Sequence, residues 1–287
     1  MLRLREAQRR MALAARYRHY LSEMLCRLAI TLMLCSLGGG AFAGGPSDPS
    51  TDLTPGEPHV DFATVYSGVE VVKDSWFYYG GAIVALNGDM SRRGFLIQGL
   101  GGIGNYKYKN SGVPGGTVDG DITEGSGFLG YQFYAGNARV RTFVGVDWQD
   151  NSLHPPDPTN PVSGSETGVV ATADIEKVGP GSFYYDLYGS FASVNNTYWS
   201  KLRLGYNFGR IIIGPEGAFY GNENFHSERA GAFVKFALMR KLDLTVAGGF
   251  NAVDNNQFLN ALGSGSFAGL GGLADGGYGD VSLSVWF

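Results

Sequence analysis

The sequence predicts an all-β protein: an antiparallel transmembrane β-barrel of about 12 strands, preceded by an N-terminal signal peptide. Three observations carry that expectation. Strand-length segments place apolar residues at every second position, the period of an extended chain. The longer connections fall only at every second position along the chain, and those at 73–74 and 194–197, though short, break nothing. The last segment, Gly279 to Phe287, has apolar residues at 281, 283, 285 and 287, with Asp280, Ser282 and Ser284 between them, and ends on an aromatic residue. A barrel closes its last strand on its first, so such an end sits at the membrane interface.

Composition agrees. Of 287 residues, 45 are glycine and 13% are aromatic, while only 17% are charged. That is the balance of short strands and tight turns. Past the first forty-odd residues no stretch reaches the ~20 apolar residues of a membrane helix. The only cysteines are Cys26 and Cys35, so the rest of the chain has no disulfide framework and no thiolate metal site.

Residues 1–43 read as a signal peptide with a basic N-terminal extension. Arg27 is the positive residue, Leu28 to Leu37 the apolar core, and Ala41-Phe42-Ala43 the cleavage site. Removing this segment takes away seven arginines and two glutamates, leaving 22-7=15 basic and 26-2=24 acidic residues, a net charge near -9. Such a chain is unsuited to a nucleic-acid partner. Residues 44–61, rich in proline, serine and aspartate, read as a disordered periplasmic leader, and 62–287 as the barrel.

The predicted strands follow in order. They lie near 63–72, 75–86, 92–109, 118–134, 138–150, 166–177, 182–193, 198–208, 210–220, 227–238, 242–252 and 277–287. The fifth is clear: Val140, Thr142, Val144, Val146 and Trp148 share one face, and Arg139, Arg141 and Asp147 the other. In the eighth, Leu202, Leu204, Tyr206 and Phe208 alternate with Lys201, Arg203 and Asn207. The tenth and eleventh repeat the pattern, with Ala232, Val234, Phe236 and Leu238, then Leu242, Leu244, Val246 and Phe250. A soluble sandwich alternates as well.

Loop parity separates the two. Connections near 87–91, 135–137, 178–181, 208–210 and 239–241 are short turns such as Asn87-Gly88-Asp89. Those near 110–117, 151–165, 221–226 and 253–276 are longer and fall only at every second connection. Periplasmic turns and outward loops produce that parity, whereas a Greek-key sandwich has no reason to obey it. Aromatics also gather at strand ends, as in Trp76 to Tyr79, Tyr131 to Tyr134 and Tyr198-Trp199, where interfacial girdles belong.

Residues 64–287 also resemble a known family along their length. The stretches that carry the resemblance are Ala85-Leu86-Asn87-Gly88-Asp89, Gly130-Tyr131-Gln132-Phe133, Val144 to Asp150, and Val162 to Gly168. Further on come Tyr198-Trp199 with Arg203 and Gly205-Tyr206, Gly214-Pro215-Glu216, Gly221-Asn222-Glu223 and Gly276-Gly277-Tyr278-Gly279. In this order they resemble the bacterial cellulose-biosynthesis protein BcsS family, regarded as outer-membrane barrels. The resemblance implies a role in cellulose or exopolysaccharide production and brings no catalytic or ligand residues with it.

Each chemical motif has a plainer reading. Gly99-Leu100-Gly101-Gly102-Ile103-Gly104 fits G-x-G-x-x-G, but a strand and not a helix follows it, so no phosphate cradle is expected. His226 beside Ser227 and near Glu223 is the one local candidate for hydrolytic chemistry, although neighbours on a strand point to opposite faces. Asp119, Asp121, Asp150 and Asp157 read as solvated loop acids, with calcium ligation the less favoured alternative. No catalytic residue, metal site or cofactor is expected.

The polar faces supply the candidate site. Taken as interior, they hold nine acidic residues: Glu70, Glu124, Asp147, Asp174, Glu176, Asp186, Glu216, Asp243 and Asp280. The six basic ones are Arg139, Arg141, Lys201, Arg203, Arg229 and Lys235. Tyr184, Tyr188, Trp199 and Phe233 join them as rings able to stack on sugars. A basic side chain facing lipid at mid-depth costs roughly 2–4 kcal/mol, so this face looks into water or into paired charges. Val281, Leu283, Val285 and Phe287 are the expected membrane-insertion signal. The function expected is that of a non-enzymatic outer-membrane accessory passing or anchoring glucan. Its partners would be outer-membrane lipid, a glucan chain and cellulose-export machinery. A small-solute porin and a barrel lipid hydrolase or acyltransferase are the alternatives.

Overall fold

The alternation becomes a closed wall. A computed structural model describes residues 61–177, 182–223, 226–253 and 276–287. The predicted signal peptide, the leader up to residue 60 and most of the connection at 253–276 lie outside the described residues. The strands are β1 Ala63–Val72, β2 Ser75–Ala85, β3 Gly94–Lys109, β4 Thr117–Ala135, β5 Ala138–His154 and β6 Gly164–Lys177. They continue with β7 Phe183–Ala192, β8 Tyr198–Asn207, β9 Ile211–Gly221, β10 His226–Met239, β11 Leu242–Val253 and β12 Gly276–Trp286. Each strand pairs antiparallel with its sequence neighbour, and β12 closes on β1 with Val65 opposite Val285 and Glu70 opposite Asp280. Closure satisfies every strand edge, the condition for sheet in a bilayer.

Side-chain exposure sorts the two faces. Val65, Val69, Ile97, Leu129, Val144, Val146, Leu202, Leu204, Val281 and Leu283 stand exposed on the outer wall. A continuous apolar belt of this kind belongs against hydrocarbon, not water. Between them in sequence lie the charged residues of the inner face.

The predicted boundaries hold to within a few residues except around the second long connection. Asn151 to His154 continue as strand because they pair with Ile122 to Asp119, so that connection shrinks to 155–163. Glycine permits the closest strand approach at the β8–β9 seam: a Cβ on Gly214 would stand 1.9 Å from the Leu204 carbonyl oxygen.

Strand length is unequal. β3, β4 and β5 have 16, 19 and 17 residues, whereas β1, β2, β7, β8 and β9 have 10 or 11. A membrane crossing takes about 9–11 residues, so this part of the wall projects beyond the bilayer. Its far end carries Asn105–Asp121 and Lys107–Asp119 pairs on the outward face, which places it in water on the long-loop side. The 155–163 connection folds back through Asp157 and Asn160, which bond to Tyr108 on the projection's inner face; Val162, Val118 and Leu153 are all buried.

Candidate functional site in the barrel interior

The inner face is cross-linked by charge. On the periplasmic half, Arg139 meets Glu176 at 2.5 Å and Arg141 meets Asp174 at 2.7 Å, each across one strand pair. Lys235 then reaches Glu176 at 3.0 Å and Asp243 at 3.4 Å, while the Tyr184 hydroxyl donates to Glu176 at 2.9 Å. Lys235 is on β10 and Glu176 on β6, four strands away around the wall. This contact therefore spans the interior; it does not run along the sheet.

A second cluster lies above it. Arg203 pairs with Glu216 at 2.5 Å, directly opposite in the β8–β9 register, and stacks over Phe233 at 5.3 Å. Its other arm comes within 3.7 Å of Asp280 on β12, too long for a hydrogen bond but close enough to neutralise charge. The Tyr278 hydroxyl donates to Glu216 at 3.0 Å. Further up, Arg229 grips Glu70 through two contacts of 2.5 and 2.6 Å and donates to Asn251 at 3.0 Å. Its guanidinium lies 4.2 Å from the Tyr220 ring centre, 5.1 Å from Tyr278 and 5.3 Å from Trp199.

These groups are dry. Arg203, Glu216, Arg229 and Asp280 are all buried. Charges held without water are tolerated only when paired and hydrogen-bonded, because removing one partner leaves a bare charge in a low dielectric. The pairing thus accounts for how polar strand faces survive inside a membrane protein.

The periplasmic mouth has its own closure. The connection 86–93 folds inward, burying Met90 against Ala85, Leu96 and Phe128. Gln132 donates from the inner wall to the carbonyls of Met90 at 2.7 Å and Arg92 at 2.8 Å, and the Tyr134 hydroxyl donates to Met90 at 2.9 Å. The sequence offered this segment only as a turn. The missed signal was an apolar Met90 after Asn87-Gly88-Asp89, facing two inward hydrogen-bond donors.

The remaining predicted residues divide. Asp147 is buried and accepts from Ser126 at 2.6 Å and Gln149 at 2.9 Å. Tyr184 and Phe233 pack on each other at 6.1 Å and are buried, which leaves neither ring a free face for a sugar. Trp199 packs at a tilt against Tyr220, ring centres 5.0 Å apart. Glu124, Asp186, Tyr188 and Lys201 remain half-buried. At the seam, the Phe287 carbonyl oxygen accepts from Phe62 at 2.6 Å, and its amide donates to Ala63 at 2.9 Å. Val281, Leu283 and Val285 are on the same strand, opposite Val69, Ser67 and Val65 of β1.

The other motifs resolve plainly. Gly99–Gly104 lies inside β3 with no helix after it, and Gly102 lies beneath the Phe77 ring, so no phosphate cradle forms. The Ser227 hydroxyl donates to Asn251 and to the Ala252 carbonyl, both at 2.9 Å, while His226 contacts Tyr198 and Glu228. The pair is not arranged as base and nucleophile. Asp157 is a clamp: it accepts from Thr159, Tyr108 and Asn110, which hold its carboxyl down at about 2. Among the described residues no group of three or more metal-ligating side chains converges.

Comparison with known proteins adds the family. Among proteins of curated function none matches the chain. Solved structures of similar shape include a KdgM porin in complex with disordered oligogalacturonate, 10% identical over 78% of this chain and 99% of that one, TM-score 0.43. Another is the COG4313 outer membrane channel from Pseudomonas putida F1, 12% identical over 86% and 100%, TM-score 0.46. Outer membrane phospholipase A from Escherichia coli is 11% identical over 79% and 93%, TM-score 0.38. Likeness at this level carries no statement about function. The family profile described as cellulose biosynthesis protein BcsS, by contrast, matches residues 64–287, the entire barrel. The chain belongs to the cellulose biosynthesis protein BcsS family and is an outer-membrane β-barrel associated with cellulose biosynthesis.

Proposed function

We propose that this barrel is a non-enzymatic accessory that holds glucan at the cell surface and does not conduct it freely through the wall. The observation that carries the reading is the Lys235–Glu176 contact, which joins strands four places apart in the barrel. The inward 86–93 connection supports it from the periplasmic side. A glucan chain entering from below would have to break the half-buried Lys235–Glu176 pair and then the buried Arg203–Glu216 pair, the latter costing about 3–5 kcal/mol when one partner is lost. The outer side, where β3 to β5 project, is the accessible one.

The test pairs two measurements. Purified protein in planar bilayers should show little steady conductance, and deletion of the gene should release cellulose from the surface without lowering total synthesis. A steady conductance indifferent to cello-oligosaccharides would instead identify a small-solute porin. Lipid hydrolysis abolished by His226→Ala or Ser227→Ala would identify an enzyme.

A further inference from the structure

The interior pairing leaves a few charged side chains out. Glu124 on β4, Asp186 on β7 and Lys201 on β8 make no hydrogen bond or ion pair with any described residue, and all three are half-buried. Lys201 stands directly opposite Tyr188 in the β7–β8 register, and Asp186 lies two residues before Tyr188 on the same face of β7. Tyr188 lies on the same side and within electrostatic reach of both Glu124 and Tyr66. Tyr66 is on β1 and Tyr188 on β7, six strands apart in a closed ring of twelve, so the two phenols approach from opposite walls. Tyr66 is held in place by Gln98, whose amide donates to its hydroxyl at 2.6 Å.

A charged group inside a barrel that faces neither lipid nor a partner must face water or a ligand. The dry clusters show that this barrel pairs its charges where space is closed. The unpaired set keeps part of its surface open to the interior. Its chemistry is mixed: an ammonium donor, two carboxylate acceptors, and two phenols offering a hydroxyl and a ring face each. A neutral sugar chain presents just that mixture, hydroxyls that donate and accept around the rim of each ring and C–H faces above and below.

We infer that Glu124, Asp186, Lys201, Tyr188 and Tyr66 form a binding chamber for the end of a neutral β-glucan chain. The inference rests on the surface-holding reading above and deepens it by naming the site. Charge sets the selectivity. The interior residues named from the sequence comprise nine carboxylates and six cations, an excess of three negative charges by 9-6=3. Such a field repels polyuronates, while an uncharged glucan is indifferent to it.

The test uses the mature full-length protein in detergent, titrated calorimetrically with cellohexaose and with a uronic-acid hexamer. Saturable binding of cellohexaose and none of the uronate is expected. Lys201→Met and Asp186→Asn should each weaken cellohexaose about tenfold, the effect of losing one charged hydrogen bond. Heat-modifiable gel migration confirms that each variant is folded. If the variants fail to fold, the unaltered protein still decides: cellohexaose should protect Lys201 from acetylation, read by mass spectrometry. Folded variants that bind as tightly as the unaltered protein, equal binding of the uronate, or unprotected Lys201 would overturn the chamber. Cells that retain cellulose while the purified barrel ignores cellohexaose refute the chamber and leave surface holding intact. Cells that retain cellulose equally well without the gene refute surface holding, whatever the purified barrel binds.

Discussion

Replacing Arg229 with methionine tests whether the interior is as dry as its packing implies. The guanidinium holds Glu70 through two contacts and is enclosed by the rings of Tyr220, Tyr278 and Trp199. Methionine fills much of the volume and supplies no charge. Asn251 keeps its bonds from Ser227 and Tyr220, so the loss concentrates on Glu70, left as an unpaired carboxylate. Breaking a buried pair from one side costs about 3–5 kcal/mol, and the lost ring contacts add roughly 0.5–2 kcal/mol. In urea titrations of the protein in lipid vesicles, tryptophan fluorescence follows unfolding, with Trp199 the reporter beside Arg229. With a slope of about 1–3 kcal/mol per molar urea, the midpoint should fall by at least about 1 M. Adding Glu70→Gln should restore most of that loss, because the bare charge and not the missing contact is what destabilises. A single variant within about 0.5 kcal/mol of the unaltered protein would mean that water reaches Glu70. A double variant no better than the single would mean that the rings, not the charge, set the cost.

Three further outcomes follow from other parts of the wall. Gly145→Ala should block assembly, since its Cβ would stand 2.1 Å from the Gly127 carbonyl oxygen. Gly127→Ala, with nothing within 4 Å of its Cβ, should be tolerated; both are read by heat-modifiable migration. Asp157→Asn should make the 155–163 connection protease-sensitive at neutral pH. The Asp157 carboxyl is held down at about 2 by Thr159, Tyr108 and Asn110. A depressed carboxyl stabilises fully above its unfolded value of roughly 3.9 and loses that contribution as pH falls through its folded one. In the unaltered protein, protection should therefore persist from pH 7 down to about 4 and disappear toward 2. Deleting Phe287 removes the backbone bonds to Phe62 and Ala63 and should reduce outer-membrane insertion without reducing export, measured by fractionation.

Twelve strands were legible because alternation is local: Val140 to Trp148 declare two faces without knowing what lies beyond them. The closure of β12 on β1 was legible for the same reason, since a sheet in lipid can leave no edge. The cross-interior contacts were not. Lys235 and Glu176 are 59 residues apart, and their meeting depends on strand stagger around the whole wall, which no short window of sequence encodes. Nor did residue type distinguish Tyr188, which stays half-open, from Phe233, which packs beneath Arg203. Asp157 was misjudged as a solvated acid because its partners, Tyr108 and Asn110, come from the end of β3 and the connection after it.

The connectivity of the wall also dictates an order of construction. Eleven of the twelve strand pairings join neighbours in sequence, and each can form as a hairpin while the rest of the chain is still searching. The remaining pairing brings Thr64 to Trp286, residues separated by 286-64=222 positions. Hairpins can therefore accumulate into a curved, open sheet whose two free edges meet last, after the entropy of a very long loop has already been lost piecemeal. Until that meeting, β1 and β12 each expose an unpaired row of amides and carbonyls. The stage most vulnerable to misassembly is thus the sheet with all its hairpins formed and its ring still open.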